Sequence, residues 1–597
     1  MKKNIKFWSI IIFAGFVMTA CSKDFLDRPP QDAIAASAAY ATDDQVMQTT
    51  SLLYSKVWMD YASYADFNIA DYRGGDAMKK WGSQENVWFS TTAGTGENES
   101  SWKAFYNVVG QANTALKNIE LYATSAVSPA IKANAMGEAR FMRALAYRYL
   151  VMNWENVPII TDNESVLGDA TSVKRNTTKS VWRFIINEMR QAVDELPETP
   201  YGTNSAGGQA PGGSSGRVTK WTAEAMLARF YLSLSGVEST GGQRNQTYLD
   251  SAKYYAERVI TLSGKSLLKT YRDLYLFPYN NNNESLFELQ WMYINGGGLN
   301  ASGVDWYGYS NTVISQFGPD NSIMNNDGWG GDQGATLWML SQYDGFTLVT
   351  DGDTLRMTGA TRDQRLKETF MMPGFEYPEI TRTLAGVDQK PFIYPNNTFG
   401  STFDGSIDNG HSQANIKKYI TGQAKDVGGL SSGMNYPNDT YMMRLAEMYL
   451  IYAEAALGNQ ASTSDPTALD YFNAVHTRAG LPAVTGSLTY DQIFKEKVCE
   501  FGFEGMMWYI LIDLHYWNPQ KAYDIIGQQY RGFYWITPDK FPSPNSWSFT
   551  SMPNSSESHG SSDYATANDG NFYLPLPASE VTQAPNLLDD PVDYYAQ

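Results

Sequence analysis

The reactive side chains of this sequence are few and form no catalytic motif. The four histidines are His411, His476, His515 and His559. They form neither an HExxH sequence nor, with the cysteines, the spacing of a metal site. Cys499 lies in an apolar helical pattern, which favours a small buried hydrophobe over a nucleophile. A G-x-S-x-G sequence spans 212–216, but a nucleophile elbow needs a preceding strand and none is predicted. We therefore expect no enzyme activity, although 63 acidic residues leave open a carboxylate pair for glycoside hydrolysis.

Two turns rich in acids and amides could donate oxygens to a calcium ion. They span 325–328 and 351–353. Neither completes the loop of an EF-hand. We expect no cofactor and no metal-dependent chemistry, with a structural calcium ion as the alternative.

Aromatic residues carry more information about function. The chain has 39 Tyr and 16 Trp. A sugar ring stacks its C–H face on an aromatic ring, while amides, carboxylates and arginine bind its hydroxyls. Two segments without sustained helical periodicity, 66–99 and 264–435, combine such residues. We predict that these segments converge on a ligand-binding site formed by Asp71, Arg73, Trp81, Trp88, Trp291, Trp306, Tyr307 and Trp329.

A helical scaffold must position these segments. Residues 441–457 place apolar or small residues on one helical face, and the small ones allow a second helix to pack closely. Further helices are predicted over 33–62, 102–122, 128–154, 178–196, 219–234, 248–262, 465–480, 489–517 and 518–529. Helix pairs spaced by about 34 residues are typical of tetratricopeptide repeats. The sequence therefore predicts a mainly α fold, with a tetratricopeptide-like helical-repeat scaffold and a loop-rich α+β insertion.

Three charged residues interrupt the apolar pattern of 441–457: Arg444, Glu447 and Glu454. We favour solvation or ion pairing between helices over catalysis for them.

The domain boundaries follow from these patterns. We predict a signal peptide over 1–20, a tether over 21–32 and a single domain over 33–597. Within that domain, helical repeats are expected at about 33–263 and 436–530, and the ligand-binding insertion at 264–435.

The amino-terminal region has the features of an exported lipoprotein. A basic start precedes a short apolar run and the sequence VMTAC, in which Ala20-Cys21 is the core of a bacterial lipobox. The prediction is lipidation of Cys21, with an ordinary signal peptide cut nearby as the alternative. The remaining cysteine, Cys499, then has no disulfide partner.

The charge disfavours nucleic acid as a partner. The net charge is −18, and removal of the first twenty residues, with three lysines and no acid, lowers it to −21. Nucleic-acid binding depends on Lys and Arg displacing counterions from phosphates, so such an acidic surface is unsuitable.

A series of motifs runs along nearly the whole chain after Cys21. In order they are FLDRPP after Cys21, WKAFYNVVGQAN at 102–113, GEARFMRALAYRYL at 137–150, GRVTKWTAEAMLARFYL at 216–232, RLAEMYLIYAEA at 444–455, RAGLP at 478–482, FEG at 503–505 and YLPLPASE at 573–580. In their order and identity these motifs resemble the SusD/RagB family of outer-membrane nutrient-uptake lipoproteins.

The resemblance implies a role as well as a fold. It implies a lipid-anchored protein on the outside of the outer membrane that captures oligosaccharide and delivers it to a SusC-like TonB-dependent transporter barrel. A peptide-binding receptor of the same transport type is the alternative. A protein-only adaptor is less favoured, because it leaves the aromatic insertion without a role.

Overall fold

The computed structural model describes residues 36–54, 58, 68–79, 84–201, 216–277, 279–293, 311, 317–319, 321–325, 333–352, 354–395, 414–432, 435–552 and 563–595. The predictions for Cys21, Trp81, Trp306, Tyr307 and Trp329 concern residues outside these ranges, as do those for the signal peptide and the tether.

Helices dominate the described chain. Those of more than three residues before the insertion are α1 (Asp43–Thr49), α2 (Gly96–Tyr122), α3 (Pro129–Trp154), α4 (Asn163–Gly168), α5 (Thr178–Glu195), α6 (Lys220–Val237) and α7 (Gln246–Leu262). The insertion contributes α8 (Leu337–Ser341) and α9 (Arg365–Thr369). The later helices are α10 (Leu445–Leu457), α11 (Pro466–Arg478), α12 (Tyr490–Phe501), α13 (Met507–His515), α14 (Pro519–Gln528) and α15 (Ala578–Gln583).

The long helices form one continuous stack. Helix α2 packs on α3, α3 on α5, α5 on α6 and α6 on α7. Helix α7 then packs on α10, although 182 residues separate Leu262 from Leu445 in the chain, and α10 packs on α11 and α12. The predicted tetratricopeptide-like scaffold is therefore confirmed, and the insertion leaves the stack between α7 and α10.

Side-chain caps fix where several of these helices begin. Thr177, Thr219 and Asn245 each accept a hydrogen bond from a backbone N–H in the first turn of α5, α6 and α7. Pro129 and Pro466 occupy the first turn of α3 and α11, where a missing N–H costs nothing. These local signals explain why the predicted and observed helix starts in this part of the chain differ by only a few residues.

The strands are short and lie mainly in the insertion and near the C-terminus. They are β1 (Ala77–Lys79), β2 (Ser285–Leu289), β3 (Gln333–Ala335), β4 (Phe346–Asp351), β5 (Thr354–Gly359), β6 (Phe370–Met371), β7 (Glu376–Tyr377), β8 (Arg382–Leu384), β9 (Val387–Gln389), β10 (Phe392–Ile393), β11 (Asn415–Ile416), β12 (Thr440–Arg444), β13 (Tyr534–Pro538) and β14 (Trp547–Ser551). The sheets have the orders β1-β3-β11-β6, β13-β14-β5-β4, β12-β2, β10-β7 and β8-β9. The insertion is thus the predicted mixture of strands, short helices and loops.

Two helix predictions are wrong in part. Residues 440–444 form β12, which pairs with β2, so the helix predicted from Tyr441 begins at Leu445. Pairing with a buried strand satisfies the backbone of 440–444 in place of helical hydrogen bonds. The helix predicted over 33–62 is interrupted, because α1 is flanked by 3-10 turns at Ala36–Tyr40 and Ser51–Tyr54.

The tail returns to the body. Leu574 N donates a hydrogen bond to Asn153 O at 2.8 Å, and the side chain of Phe572 is fully buried.

Among the described helices, none combines the length and apolar character that crossing a membrane requires.

Candidate ligand-binding site

Asp71 and Asp76 bind the FEG turn that joins α12 to α13. The Asp71 carboxylate accepts a hydrogen bond from Gly505 N at 3.0 Å, and Asp76 Oδ2 accepts one from Phe503 N at 2.8 Å. Both acids are fully buried. They hold the segment before β1 against the scaffold.

Arg73 is also an interior residue. Its Nη2 donates to Phe572 O at 2.7 Å and to Asn571 O. Its guanidinium carbon lies 4.2 Å from the ring centre of Phe89 and 4.8 Å from that of Trp508. Burial, with a smaller effect of Arg531, lowers the pKa of Arg73 to about 9. Arg73 joins the tail to the core.

These positions correct the expected roles of Asp71 and Arg73. Both were expected to bind sugar hydroxyls, but their side chains present almost no surface to solvent. Hydrogen bonds to backbone groups far away in sequence account for their burial, and a single sequence cannot reveal such partners. We leave both out of the ligand-binding set proposed below.

Two of the predicted tryptophans lie in the described chain. Trp88 is half-buried, and its Nε1 donates to Gln84 Oε1 at 3.0 Å. Trp291 is 7% exposed. Its backbone N donates to Asp439 Oδ1 at 2.9 Å and its Nε1 to Thr440 Oγ1 at 3.0 Å. Trp88 is partly accessible to solvent, whereas Trp291 ties the insertion to the residues that follow it.

The two predicted segments meet in one sheet. Strand β1 pairs with β3 in antiparallel register, with Ala77 opposite Ala335 and Lys79 opposite Gln333. Trp81 follows Lys79 by two residues and Trp329 precedes Gln333 by four. Lys79 and Gln333, which are close to these tryptophans in the chain, lie at the same end of this sheet.

A second contact brings the insertion to the FEG turn. The rings of Phe317 and Phe503 meet edge to face, with centroids 5.0 Å apart. Six residues before Phe317, Asn311 N donates a hydrogen bond to Tyr436 O at 2.9 Å. Trp306 and Tyr307 precede Asn311 by five and four residues.

Buried ion pairs join the scaffold to the insertion. We call Arg444, Glu284, Glu500 and Glu504 the Arg444 cluster. Arg444 Nη1 lies 2.9 Å from Glu284 Oε1 and 2.5 Å from Glu500 Oε1, and Nη2 lies 2.9 Å from Glu504 Oε1. Arg478 pairs with Glu284 and Glu500, and Lys418 of the insertion lies 2.9 Å from Glu504.

The charges in this cluster favour ionised acids. Burial alone raises the pKa of Glu500 and Glu504, but neighbouring cations outweigh it, and both pKa values fall below the ordinary range. Glu447 and Glu454 are likewise buried and paired, with Arg229 and with Arg244 and Lys497. Of the two alternatives expected for the three charged residues of the α10 region, solvation or ion pairing, the structure shows ion pairing.

The candidate nucleophile and bases have structural positions. Cys499 is buried, and burial raises the pKa of its thiol well above the ordinary value. His515 stacks on Phe572 with ring centroids 3.9 Å apart, and burial lowers its pKa to about 4. His476 Nδ1 lies 2.7 Å from Glu496 Oε2. Within the described ranges, no group of three or more His, Cys, Asp or Glu side chains could hold a metal ion.

A polar cavity of about 230 Å³, which the sequence did not predict, lies beside the N-terminus of α6. Its lining includes Trp221, Lys265 and Glu288. Trp221 lies within a helical pattern, so nothing in the sequence indicated that its ring borders a cavity. Only the packing of α6 against β2 reveals it.

Asp76 provides a pH-dependent test of the turn contacts. Burial raises the pKa of Asp76 from 3.8 to about 7, although the hydrogen bond from Phe503 N opposes the rise. A raised pKa means that the stability contributed by this group is complete below about pH 4 and is lost as the pH rises through 7. Asp76→Asn keeps an acceptor for Phe503 N. We therefore expect the melting temperature of Asp76→Asn minus that of wild type to be larger at pH 8 than at pH 5.

The control for this test is Asp388→Asn. Asp388 is exposed, and hydrogen bonds from Lys425 and Thr383 lower its pKa, so it is ionised at both pH values. The difference in melting temperature between Asp388→Asn and wild type should be the same at pH 5 and pH 8. An Asp76→Asn difference that is equally independent of pH would contradict the raised pKa.

This architecture defines a helical-repeat protein with a loop-rich insertion, and comparison with known proteins identifies the family. The SusD family profile matches residues 283–592. A second profile, described as "Starch-binding associating with outer membrane", matches residues 24–232. A SusD-like protein from Bacteroides ovatus is 30% identical over 593 residues, which cover 98% of this chain and 97% of that protein. The chain belongs to the SusD family, as its motifs indicated.

Solved structures agree with this membership. A crystal structure with xylogluco-oligosaccharide has a TM-score of 0.73 at 29% identity and covers 92% of this chain and 99% of its own. A laminarin-binding SusD-like protein has a TM-score of 0.59 at 20% identity and covers 91% of this chain and 98% of its own. The latter likeness concerns the fold alone.

Proposed function

We propose that this protein is a non-enzymatic receptor that captures oligosaccharides at the outer membrane. The observation that carries the proposal is the pairing of β1 with β3, which joins the chain segments leading to Trp81 and Trp329. Membership of a family described as starch-binding and outer-membrane-associated supports the ligand class and the location. The similar structure with xylogluco-oligosaccharide makes that sugar the first ligand to test.

The proposed site uses aromatic rings as platforms. The proposed platforms are Trp81, Trp88, Trp306, Tyr307 and Trp329. Trp291 ties the insertion to the residues that follow it. A solvated sugar site gains about 1 kcal/mol from each stacking contact and must offset the ordering of ligand and loops. Weak binding is therefore expected, which suits a protein that must release its cargo.

Replacement of the insertion tryptophans tests this site. We expect Trp306→Ala and Trp329→Ala each to weaken binding of xylogluco-oligosaccharide about tenfold, or about 1.4 kcal/mol. Isothermal titration calorimetry measures the effect, and a panel of other oligosaccharides and of peptides covers the alternative ligands.

The matched control for these variants is Trp517→Ala, which removes a half-buried tryptophan that lies two residues after α13. It should bind the sugar as wild type does. The proposed site would be wrong if both insertion variants also bound like wild type. Tight binding of peptides together with no binding of any sugar would favour the peptide receptor.

We also propose a lipid anchor at Cys21, exposure on the outside of the cell and delivery of the sugar to a SusC-like TonB-dependent transporter barrel. The lipobox-like sequence supports the anchor, and the family resemblance supports the partner. Co-purification of such a barrel with the protein from detergent-solubilised membranes tests the proposed association with the transporter. Capture without transport would be the conclusion if the barrel never co-purified.

A further inference from the structure

The polar cavity beside α6 is built by four parts of the chain. The N-terminus of α6 contributes Trp221, the end of α7 contributes Ser263 and Lys265, and β2 with the preceding turn contributes Glu288 and Asn281. The stretch before Tyr201 completes it with Thr199. Its volume of about 230 Å³ far exceeds the 10–15 Å³, on the order of one probe sphere, that a single water needs.

Specific hydrogen bonds hold these parts together. Thr222 Oγ1 donates to Leu286 O at 3.0 Å, which fixes the first turn of α6 against β2. Lys220 N donates to Pro197 O at 2.9 Å, which fixes the wall that includes Thr199. Thr219 caps the helix. The half-buried ring of Trp221 is therefore held at the cavity by a rigid helix start rather than by a loop.

Two charged groups in the lining have unused bonding capacity. Lys265 Nζ forms no hydrogen bond or ion pair within the described part of the chain. Glu288 is 2% exposed, and its Oε2 accepts from Asn281 N at 2.9 Å, but its Oε1 has no hydrogen-bond donor among the described residues. The lining thus includes an ammonium donor and a buried carboxylate, one oxygen of which lacks a donor among the described residues.

Asp439 also faces Glu288. Asn281 Nδ2 donates to Asp439 Oδ2 at 3.0 Å, so one asparagine holds both carboxyl groups. Burial, and then the charge of Glu288, raises the pKa of Asp439 well above the ordinary value. Burial and the nearby charge of Glu288 thus disfavour the ionised form of Asp439 beside the cavity.

Arg217, by contrast, is already satisfied. Its Nη1 lies 2.6 Å from Glu138 Oε2, and its Nη2 donates to Met47 O at 2.9 Å. Since Arg217 has carboxylate and carbonyl partners, Lys265 is the only cation that the described lining offers to an anion. A ligand with both hydroxyl donors and hydroxyl acceptors matches the cavity better than an anion does.

We propose that this cavity binds a single neutral sugar unit, with its ring on Trp221 and its hydroxyls bound by Lys265 and Glu288. The inference rests on the proposed function only for the chemical class of the ligand. An aromatic platform next to a few convergent polar groups is the usual composition of such sites. The cavity would hold a terminal or branching sugar, whereas the insertion would hold the main chain.

The test uses monosaccharides, which are too small to need the insertion. Binding of glucose, xylose and galactose to the full-length protein in detergent is measured by saturation-transfer NMR and calorimetry. We expect wild type to bind at least one of them, and Trp221→Ala and Lys265→Met each to weaken that binding tenfold or more. Lys265→Met removes no hydrogen bond of the described fold, so it guards against misfolding of the Trp221 variant.

Two further variants separate this proposal from the function proposed above. Trp517→Ala, the control, should bind monosaccharide as wild type does. The double variant Trp306→Ala/Trp329→Ala should lose oligosaccharide affinity and keep monosaccharide binding. The cavity proposal is overturned if no monosaccharide binds to wild type, if Lys265→Met and Trp221→Ala bind normally, or if the double variant loses monosaccharide binding. Unchanged oligosaccharide binding in the double variant would count against the insertion site alone.

Discussion

Replacing Arg444 by methionine is expected to destabilise the protein by about 3–5 kcal/mol. Arg444 is 1% exposed, and its guanidinium binds the carboxylates of Glu284, Glu500 and Glu504. Methionine fills much of the same space but neutralises none of these acids. A buried carboxylate that loses its partner retains the cost of leaving water, because nothing replaces the lost interaction.

The size of this effect is large compared with the whole stability of a folded domain, which is about 5–15 kcal/mol. Urea unfolding followed by circular dichroism measures it, and a shift of the midpoint at constant slope indicates a change in stability. Aggregation during expression would be a stronger form of the same result.

Arg356→Met is the matched control. Arg356 forms an ion pair with Asp351 at 3.4 Å, but both side chains are more than half exposed. Exposed pairs contribute at most about 1 kcal/mol, because water and salt screen them. Destabilisation by less than about 1 kcal/mol in the Arg444 variant, or equal effects in both variants, would contradict the role assigned to the Arg444 cluster.

Replacing Cys21 by alanine is expected to abolish attachment of the protein to the membrane. The proposed anchor requires the Cys21 thiol to carry diacylglycerol, and alanine has no thiol. Two acyl chains give stable anchoring, at about 0.8 kcal/mol for each buried CH₂ group. Growth with radiolabelled fatty acid followed by separation of soluble and membrane fractions measures both labelling and attachment.

The chain offers an exact control in its second cysteine. Cys499 is buried in α12, and its Sγ donates to Gln342 O at 3.5 Å. Cys499→Ala should keep the label and the membrane attachment. Label retained in Cys21→Ala and lost in Cys499→Ala would exclude the proposed lipidation site.

Local patterns predicted most of the scaffold. The periodic apolar positions of α2, α3, α5, α6 and α7 and their caps act within a few residues, so a single sequence contains that information. The same reasoning failed at 440–444, where helical periodicity continued through residues that form β12. There the partner is β2, which lies about 155 residues earlier in the chain, and such a partner leaves no local signal.

The candidate site was predicted less well than the scaffold. The sequence indicated which segments meet, and the pairing of β1 with β3 brings 66–99 and 264–435 together. It did not indicate which polar residues face solvent. Asp71 and Arg73 have the types expected of sugar ligands, but they bind Gly505 N and Phe572 O instead.

The sequence by itself determined the helical repeats, the family motifs and the scarcity of reactive groups, because each depends on residue types at short spacing. Only the tertiary structure decided the course of the long stack, the Arg444 cluster and the cavity at Trp221. Each of these depends on groups that are far apart in the chain and meet only after folding. Whether a polar or aromatic side chain is buried or available to a ligand is settled by those distant contacts, since burial is a property of the packed molecule.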